Sequence, residues 1–464
     1  MNDDAIREQA MERLLTAELA EVVANERPRA LATWRPLYAA LLLLGVFVAA
    51  GVAWLANDDR AALQEPKFDA VDPWYEREWP WRGLFSKMLK PGRAAEAPAG
   101  VDEFVVTLRE ADSSDLAEVL DRPAVRKLAL TWRNDQAAPD VDPELWQRIA
   151  RRPELEVLQL AGLAMPPGRL RELRLAPALR YVMLIEGTSP LGDRAAQALA
   201  ELPRLRAIAL GAAEVDAEGL AALAGVPDLE FLLLSPRRAD VRALFDTLRK
   251  LRNLRALAFE CSATVDATAL EPLSAMKHLR ALDLSHVKLD DQALAALPPQ
   301  LELLALPSLD GCTPEGLTTL RRLTSLRTLR LRSALSPPMR SVLAAVLGDL
   351  ALERFDSLTS TPDAATWKAL QALPKLRWLT FRRQGGTFED VVAGCRACEH
   401  LEVLTLYEKS PPTPEQLAPL RDHPTLRRIE FHENDVTGIP GNISEERLAA
   451  LRASVRAQIE TIAR

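Results

Sequence analysis

The sequence predicts an α/β solenoid, a stack of short strand-and-helix units, preceded by one membrane-spanning helix. Three observations support this fold class: a recurring apolar spacing, a nearly constant period, and a long uncharged segment near the start. The recurring unit opens with two apolar residues three positions apart and a third two positions later, as at Leu279, Leu282 and Leu284. Further openings start at Val125, Leu155, Leu179, Leu205, Leu229, Leu254, Leu301, Leu326, Leu352, Leu376, Leu401 and Leu426, with a weaker copy at Val101.

Each unit has a strand half and a helix half. Successive openings are mostly 24 to 26 residues apart, a period typical of repeat proteins. The last two apolar residues of an opening lie on one face of a strand, because they are two positions apart. Before the next opening, apolar residues recur about every third position, as at Leu317, Leu320 and Leu323, which indicates a short helix. One unit cannot enclose its own apolar face, so we expect the units to stack around a shared core.

The opening, together with the segment SHVKLDDQAL that follows Leu284, resembles the leucine-rich repeat family in its bacterial form. The resemblance extends over about Val101 to Gly441, which sets the predicted repeat domain at 101–441. It implies a leucine-rich-repeat solenoid with a curved parallel β-sheet on the concave face and short helices on the convex face. It also implies a surface used for recognition.

Residues 37–56 contain no charged side chain and predict a transmembrane helix. About twenty residues form about 30 Å of helix, enough to cross the apolar core of a bilayer. A cleaved signal peptide is the alternative, but the amphipathic segment 1–36 is too long for its polar region. Arg27, Arg29 and Arg35 precede the span and place 1–36 in the cytoplasm. Abundant arginine and alanine indicate a bacterium, so we expect a single-pass inner-membrane protein with its repeats in the periplasm.

The segment 57–100 is a linker rich in proline and aromatic residues. Its aromatic residues are concentrated in WYEREWPWRGLF, residues 74–85. They predict either anchorage at the lipid headgroups or an N-terminal cap on the first repeat, and we favour the cap. A further interpretation is that the linker lies over the concave face and hides it.

The segment 442–464 predicts a C-terminal capping helix. Leu448, Leu451, Val455, Ile459 and Ile462 share one face at helical spacing. That face would close the far end of the core.

The second residue of each main opening is charged. From Arg280 onward positive and negative residues alternate, so neighbouring strands about 4.8 Å apart would carry opposite charges. The sequence therefore predicts a ladder of ion pairs that serves register and solubility more than binding. Its members are Arg126, Glu156, Arg180, Arg206, Glu230, Arg255, Arg280, Glu302, Arg327, Glu353, Arg377, Glu402 and Arg427.

The third and fifth residues of each opening should face solvent on the concave side, since strand side chains alternate. Along the chain these positions change from apolar to polar and arginine-bearing. Exposed apolar area beside arginine and tryptophan is typical of partner surfaces. We therefore predict a protein or peptide partner on this face. The candidate partner-binding residues are Tyr181, Met183, Phe231, Leu233, Leu303, Arg330, Arg354 and Trp378.

The sequence does not indicate catalysis, a metal site or a cofactor. The histidines lack metal-ligand spacing. Cys395 and Cys398 fall where other repeats have core leucines, so packing is favoured over a redox pair or half of a zinc site. The formal net charge of -7 gives no electrostatic reason to expect nucleic acid. We expect no enzyme activity, no cofactor, no small-molecule substrate and no nucleic-acid partner.

These predictions combine into a membrane-anchored recognition module that binds a protein or peptide on its concave face. Two alternatives come from other classes. The repeats could assemble with themselves as a structural envelope protein, or the chain could be a one-pass sensor that signals through residues 1–36.

Overall fold

The computed structural model describes residues 103–462 apart from short gaps, and all of these belong to one compact unit, Phe68–Arg464. The predicted segments 1–36, 37–56 and 57–100 lie outside the described residues. Within the described part of the chain, no helix has the length and apolar character needed to cross a bilayer. The gaps are 109–113, 133–140, 164, 186–191, 203, 214, 237–239, 261, 308, 333–334, 358–360, 383–386, 409–411, 434–444 and 456–457.

Fifteen parallel strands form one sheet, and each strand pairs with the next one along the chain. Fourteen of them, β1 to β14, begin two residues after a predicted opening, including the weaker one at Val101, so the apolar spacing located these strands correctly. The strands are β1 (Glu103–Leu108), β2 (Lys127–Trp132), β3 (Val157–Ala161), β4 (Tyr181–Ile185), β5 (Ala207–Ala213), β6 (Phe231–Pro236), β7 (Ala256–Phe259), β8 (Ala281–Asp283), β9 (Leu303–Leu306), β10 (Thr328–Leu331), β11 (Arg354–Ser357), β12 (Trp378–Arg382), β13 (Val403–Glu408), β14 (Arg428–Glu433) and β15 (Gln458–Ile462).

A short helix connects each strand to the next along most of the sheet. Three helices continue into or are followed by a 3-10 turn, at Leu173–Leu175, Thr318–Arg322 and Ala418–Leu420. The α-helices are α1 (Ser114–Asp121), α2 (Pro143–Ala150), α3 (Pro167–Glu172), α4 (Asp193–Ala200), α5 (Ala217–Leu223), α6 (Val241–Leu248), α7 (Ala267–Ser274), α8 (Asp291–Ala296), α9 (Pro314–Leu317), α10 (Pro337–Gly348), α11 (Ala364–Gln371), α12 (Phe388–Arg396), α13 (Pro414–Leu417) and α14 (Glu445–Ser454).

The core lies between the helices and one face of the sheet, which confirms the predicted solenoid of parallel strands and short helices. Leu282 of β8 aligns in register with Leu257 of β7 and Leu304 of β9, and all three are fully buried. The helix residue Leu294 is buried in the same continuous core. Each such leucine contributes about 1.5 to 3 kcal/mol by leaving water, and consecutive repeats share this one core.

Most of the helices begin at a residue whose side chain accepts a backbone N–H of the first turn. This cap satisfies donors that a helix start leaves without partners and stabilises a helix by about 1 kcal/mol. It fixes where each helix leaves the loop after its strand. The capping residues are Asp142, Asp216, Asp240, Asp266, Asp290, Thr313, Asp363, Thr387 and Thr413.

Asp291 links its repeat to the next one. Its Oδ1 accepts the Thr313 N–H at 2.8 Å and its Oδ2 accepts the Thr313 hydroxyl at 2.7 Å. Gly316 is required beside it, because a Cβ there would lie 1.8 Å from Asp291 Oδ1. Asp193 makes a similar contact with the Asp216 N–H at 2.9 Å. These carboxylates set the spacing between consecutive helices at their N-terminal ends.

The C-terminal segment differs from the predicted capping helix over 442–464. Its helix, α14, ends at Ser454, and β15 then pairs in parallel with β14. Leu451, Val455 and Ile459 are buried, as the predicted apolar face requires. Ile459 aligns with Ile429 of β14, so its burial is achieved by strand pairing instead of helix packing.

The cysteines at the predicted core positions pack in the core, which confirms the packing interpretation. Cys395 and Cys398 are both buried, and the Cys398 thiol contacts the Gly394 carbonyl at 3.4 Å. Burial raises the pKa of Cys398 to about 12 and raises that of Cys395 well above 9.0. Both therefore remain thiols at neutral pH, and a thiol is a poor nucleophile and metal ligand.

Candidate partner-binding face

The strand residues at the third and fifth positions of each repeat point away from the helices, and we call this side of the sheet the inner face. All eight candidate partner-binding residues lie on it. Tyr181 and Met183 lie on β4, Phe231 and Leu233 on β6, and Leu303 on β9. The polar candidates lie further along the chain, with Arg330 on β10, Arg354 on β11 and Trp378 on β12. Strand alternation therefore predicted the side of the sheet correctly.

The predicted exposure of these residues is wrong for five of the eight. Met183, Phe231, Leu303, Arg354 and Trp378 are buried, with Leu303 at 0% exposure. A position on the side of the sheet away from the helices is therefore not exposed by that fact alone, and side chains on strands about 4.8 Å apart take part in covering it.

The other three candidates, Tyr181, Leu233 and Arg330, are half-buried and retain accessible surface. Burial raises the pKa of Tyr181 above 10.0, which outweighs the lowering effect of the Arg206 charge. The Tyr181 hydroxyl is therefore neutral and able to donate a hydrogen bond. Among the eight candidates, these are the side chains that a ligand can reach without rearrangement.

The first part of the inner face is a second apolar cluster, separate from the core under the helices. Every buried member lies on a strand, from β2 to β9. Alanines stand between larger residues in register: Ala207 lies between Tyr181 and Phe231. We call this set the apolar inner cluster. Its buried members are Ala129, Val157, Met183, Ala207, Ala209, Phe231, Ala256, Ala258, Ala281 and Leu303, and Tyr181 and Leu233 pack against them.

The second part of the inner face, on β10 to β14, is polar and arginine-rich. Arg330 and Arg354 both donate through Nε to Asp356, at 2.9 Å in each case. Asp356 is only 2% exposed, so this carboxylate is held between two guanidinium groups away from water. Burial by itself would raise the pKa of Asp356, but Arg354, Arg330 and the Thr380 hydroxyl outweigh it and lower the pKa below 3.8. Asp356 is therefore ionised at neutral pH.

Trp378 holds two arginines in place at the centre of this region. The Arg354 guanidinium carbon lies 3.9 Å from the ring centroid, and that of Arg428 lies 5.4 Å from it. The indole Nε1 donates to Thr405 Oγ1 at 2.9 Å, and Thr405 donates to Glu430 Oε2 at 2.8 Å. Contacts of a cation with an indole contribute about 0.5 to 2 kcal/mol and fix the plane of the guanidinium.

Arg428 completes the group through its 3.1 Å ion pair with Glu430. We call this set of residues the arginine cluster: Arg330, Arg354, Asp356, Trp378, Thr405, Arg428 and Glu430. Asp356, Thr405, Arg428 and Glu430 were not among the predicted site residues. Their signal is visible in the sequence, since each occupies the third or fifth position of its repeat.

The predicted ladder of ion pairs is confirmed at six places along the second position of the repeats. Arg206 pairs with Glu230 at 2.7 Å, and Glu402 contacts arginines on both neighbouring strands, Arg377 and Arg427. The other pairs are Arg126 with Glu156, Arg280 with Glu302, and Arg327 with Glu353. The ladder borders the inner face along the strand starts.

Comparison with known proteins found no matching family model and no matching curated protein. Among solved structures, an internalin from Listeria monocytogenes is 17% identical, with 70% of this chain and 84% of that chain covered and a TM-score of 0.35. TLR13 in complex with ssRNA13 is 16% identical, with 78% of this chain and 60% of that chain covered and a TM-score of 0.40. Similarity at this level leaves the partner of this chain to be argued from its own residues.

Side chains suited to metal binding do not converge in the described ranges, where no group of three His, Cys, Asp or Glu residues could hold an ion. What the inner face offers is binding chemistry. It has an apolar cluster with half-buried anchors at Tyr181 and Leu233, followed by oriented guanidinium groups around Trp378.

Proposed function

We propose that this protein is a membrane-tethered recognition module of the leucine-rich-repeat type, which binds a protein or peptide on the inner face. The observation that carries the proposal is the apolar inner cluster, whose buried members all lie on strands. A sheet that buries apolar residues on both faces needs a covering layer on each. The helices form that layer on one face. On the other face the cluster members are already buried, Tyr181 and Leu233 keep accessible surface, and in the proposed complex the partner packs against these two side chains.

The composition of the inner face suits a protein ligand. Protein interfaces use large apolar, aromatic and arginine side chains as anchors, with polar residues around them. Tyr181 and Leu233 are the accessible apolar anchors, and Trp378 with its two arginines forms the aromatic and charged part. The flanking ion-pair ladder gives the interface a polar rim.

The tether in this proposal is the uncharged segment 37–56, with residues 1–36 in the cytoplasm and the repeats in the periplasm of a bacterial cell. The support is the length of the segment and the arginines that precede it. Reporter enzymes that are active only in the periplasm, fused after residue 36 and after residue 60, test it. Activity of the second fusion alone is expected, whereas activity of the first alone would reverse the orientation.

The binding proposal is tested by site-specific photocrosslinking of the full chain in membranes. A photoreactive residue at Leu233 on the inner face is compared with one at Leu175, which is 48% exposed on the helix side. We expect a defined protein adduct from position 233 and none from position 175. The adduct should disappear when Tyr181→Lys is added, because the lysine places a charge in the apolar contact.

Equal adducts from both positions would contradict binding on the inner face. An adduct whose mass equals two copies of the chain would instead indicate self-assembly, the structural alternative. The thermal stability of each variant, measured alongside, shows whether a lost adduct reflects binding or unfolding.

A further inference from the structure

We infer that the chain covers part of its own inner face: the aromatic segment 74–85 occupies the apolar inner cluster and competes there with a protein partner. The competition rests on the proposed function, whereas the occupation stands without it. The inference is carried by the burial of the cluster, by the lengths of chain available to cover it, and by the size and composition of the segment.

The burial of the apolar inner cluster requires a cover above the strands. Ala256 of β7 and Ala281 of β8 stand side by side in register, and both are at most 2% exposed. An alanine side chain extends one carbon from the backbone, so an alanine neighbour cannot shield it from the solvent above the sheet. Leu303, the next residue in register, is 0% exposed although it is much larger. A further layer therefore lies over these strands.

The helices do not supply this layer within the part of the chain that the structure describes. The members of the apolar inner cluster and the two residues packed against it all lie on strands. The gaps inside 103–462 hold at most 11 residues, and each connects elements that are consecutive in sequence. The region before Glu103 has 102 residues, so it is the part of the chain long enough to cover strands from β2 to β9.

The segment 74–85 reaches every strand of the cluster. The chain enters the sheet at Glu103 of β1, beside β2, where the cluster begins. Seventeen residues lie between Phe85 and Glu103, and they extend up to about 60 Å. The distance from β1 to β9 is eight strand spacings, or about 38 Å. The connection is therefore long enough without any change in the repeats.

The size and composition of the segment match the cluster. Twelve residues extend up to about 40 Å, and the cluster covers seven strand spacings, or about 34 Å. Two glutamates and two arginines balance in charge within the segment, which suits a cluster without charged members. Each aromatic side chain can bury about 150 to 250 Å². The aromatic residues are Trp74, Tyr75, Trp79, Trp81 and Phe85.

Occupation by the segment restricts what a partner can contact. Tyr181 and Leu233 are the half-buried members of this part of the face. Two partly accessible side chains fall well short of the about 800 Å² that each protein contributes to a standard interface. A partner that starts at Tyr181 and Leu233 therefore gains the rest of the apolar surface by displacing the segment.

The occupation is tested by photocrosslinking of the purified full chain in detergent micelles, without other proteins. A photoreactive residue at Leu233 is compared with one at Leu175 on the helix side, and mass spectrometry maps the joined peptides. We expect a crosslink within one chain from position 233 to 74–85, and none to that segment from position 175. Trp79→Ser combined with Trp81→Ser should reduce it at least about fivefold, because two aromatic contacts are lost.

Matched variants control for folding and for the choice of segment. Ala94→Ser combined with Ala95→Ser changes the same N-terminal region outside the segment and should leave the crosslink unchanged. The tryptophan-to-serine variant should also lower Tm by at least about 2 °C, since it uncovers apolar surface. Trp79→Phe combined with Trp81→Phe keeps aromatic rings and should retain most of the crosslink if the serine variant is too unstable.

Three results would overturn the inference. They are a crosslink from position 233 to 37–56 in place of 74–85, a crosslinked product with the mass of two chains, and the absence of any crosslink to the N-terminal region. A crosslink to 74–85 that is unchanged in the tryptophan-to-serine variant would overturn it as well.

The competition is measured in membranes, where the adduct with a partner forms. The tryptophan-to-serine variant should raise the partner adduct from position 233 at least about fivefold, and an unchanged adduct would refute competition. A partner adduct without a crosslink to 74–85 would refute the inference and leave the proposed function standing. A crosslink to 74–85 without any partner adduct, even in the variant, would confirm the occupation and refute the proposed function.

Discussion

His423 is held in its neutral form by the loop that leads into β14. Its Nδ1 accepts the N–H groups of Thr425 at 3.3 Å and Leu426 at 3.1 Å, and its Nε2 faces the Cys395 carbonyl at 3.3 Å. Burial lowers the pKa of His423 below 6.5 and outweighs the carbonyls of Cys395 and Cys398, which raise it. A neutral ring matches this environment, since Nδ1 must accept while Nε2–H donates.

This geometry predicts a pH dependence of stability. The folded-state pKa of His423 is depressed, so its contribution is fully present above the unfolded value of 6.5 and is lost as the pH falls through the folded pKa. We expect His423→Gln to reduce the fall in Tm between about pH 7 and about pH 5. The exposed His400→Gln serves as the control. An equal fall in the wild type and His423→Gln would show that His423 does not set this dependence.

At the scale of the element, neighbouring strands are joined by ion pairs that differ in their exposure to water and in the number of arginines around each glutamate. The Glu353 side chain is 14% exposed and contacts Arg327 at 3.4 Å. The Glu402 side chain is 7% exposed and contacts arginines on both neighbouring strands. Exposed pairs contribute about 0 to 1 kcal/mol, whereas hydrogen bonds to a charged group away from water contribute about 1.5 to 3 kcal/mol.

The loss in free energy of unfolding should therefore differ between Glu353→Gln and Glu402→Gln. We expect Glu353→Gln to lower the free energy of unfolding by less than about 1 kcal/mol, an effect that salt screens. Glu402→Gln should cost about 1 to 3 kcal/mol and respond less to salt. Denaturant titrations at low and high salt measure both. Equal losses for the two variants would contradict the role assigned to the second arginine at Glu402 and to its deeper burial.

At the scale of the whole molecule, stability comes from contacts between consecutive repeats. The sheet order follows the chain order without a crossover, so each strand pairs only with its neighbours in sequence. The core leucines follow the same rule, as in the register of Leu282, Leu304 and Leu329. In such an array a local defect weakens nearby repeats more than distant ones.

A cavity-creating substitution in a central repeat tests whether a defect weakens nearby repeats more than distant ones. Leu304→Ala should cost about 2 to 5 kcal/mol, because it empties a fully buried site between β8 and β10. Hydrogen exchange should show lost protection in β8 to β10 and smaller changes in β2 and β3. Leu175→Ala, at an exposed position, should change neither. Uniform loss of protection along the sheet would show that the repeats unfold as one unit.

The predicted solenoid and the side of the sheet on which the candidate residues lie followed from local patterns. The spacing at Leu279, Leu282 and Leu284 located β8, and the same rule located the other strands from β1 to β14. Alternation placed Tyr181 to Trp378 on the inner face. These features depend on residues within one repeat, where the backbone geometry fixes the direction of each side chain.

The sequence by itself determined the period, the strands β1 to β14, the core and the candidate face, because the same apolar pattern recurs in each repeat. Only the tertiary structure decided how deeply that face is buried, which charges meet, and that Arg354 and Arg428 share the Trp378 ring. It also decided that β15 forms within the segment where a helix is predicted. The physical reason is that these features depend on side chains about 25 residues or more apart, whose contacts arise when the repeats stack.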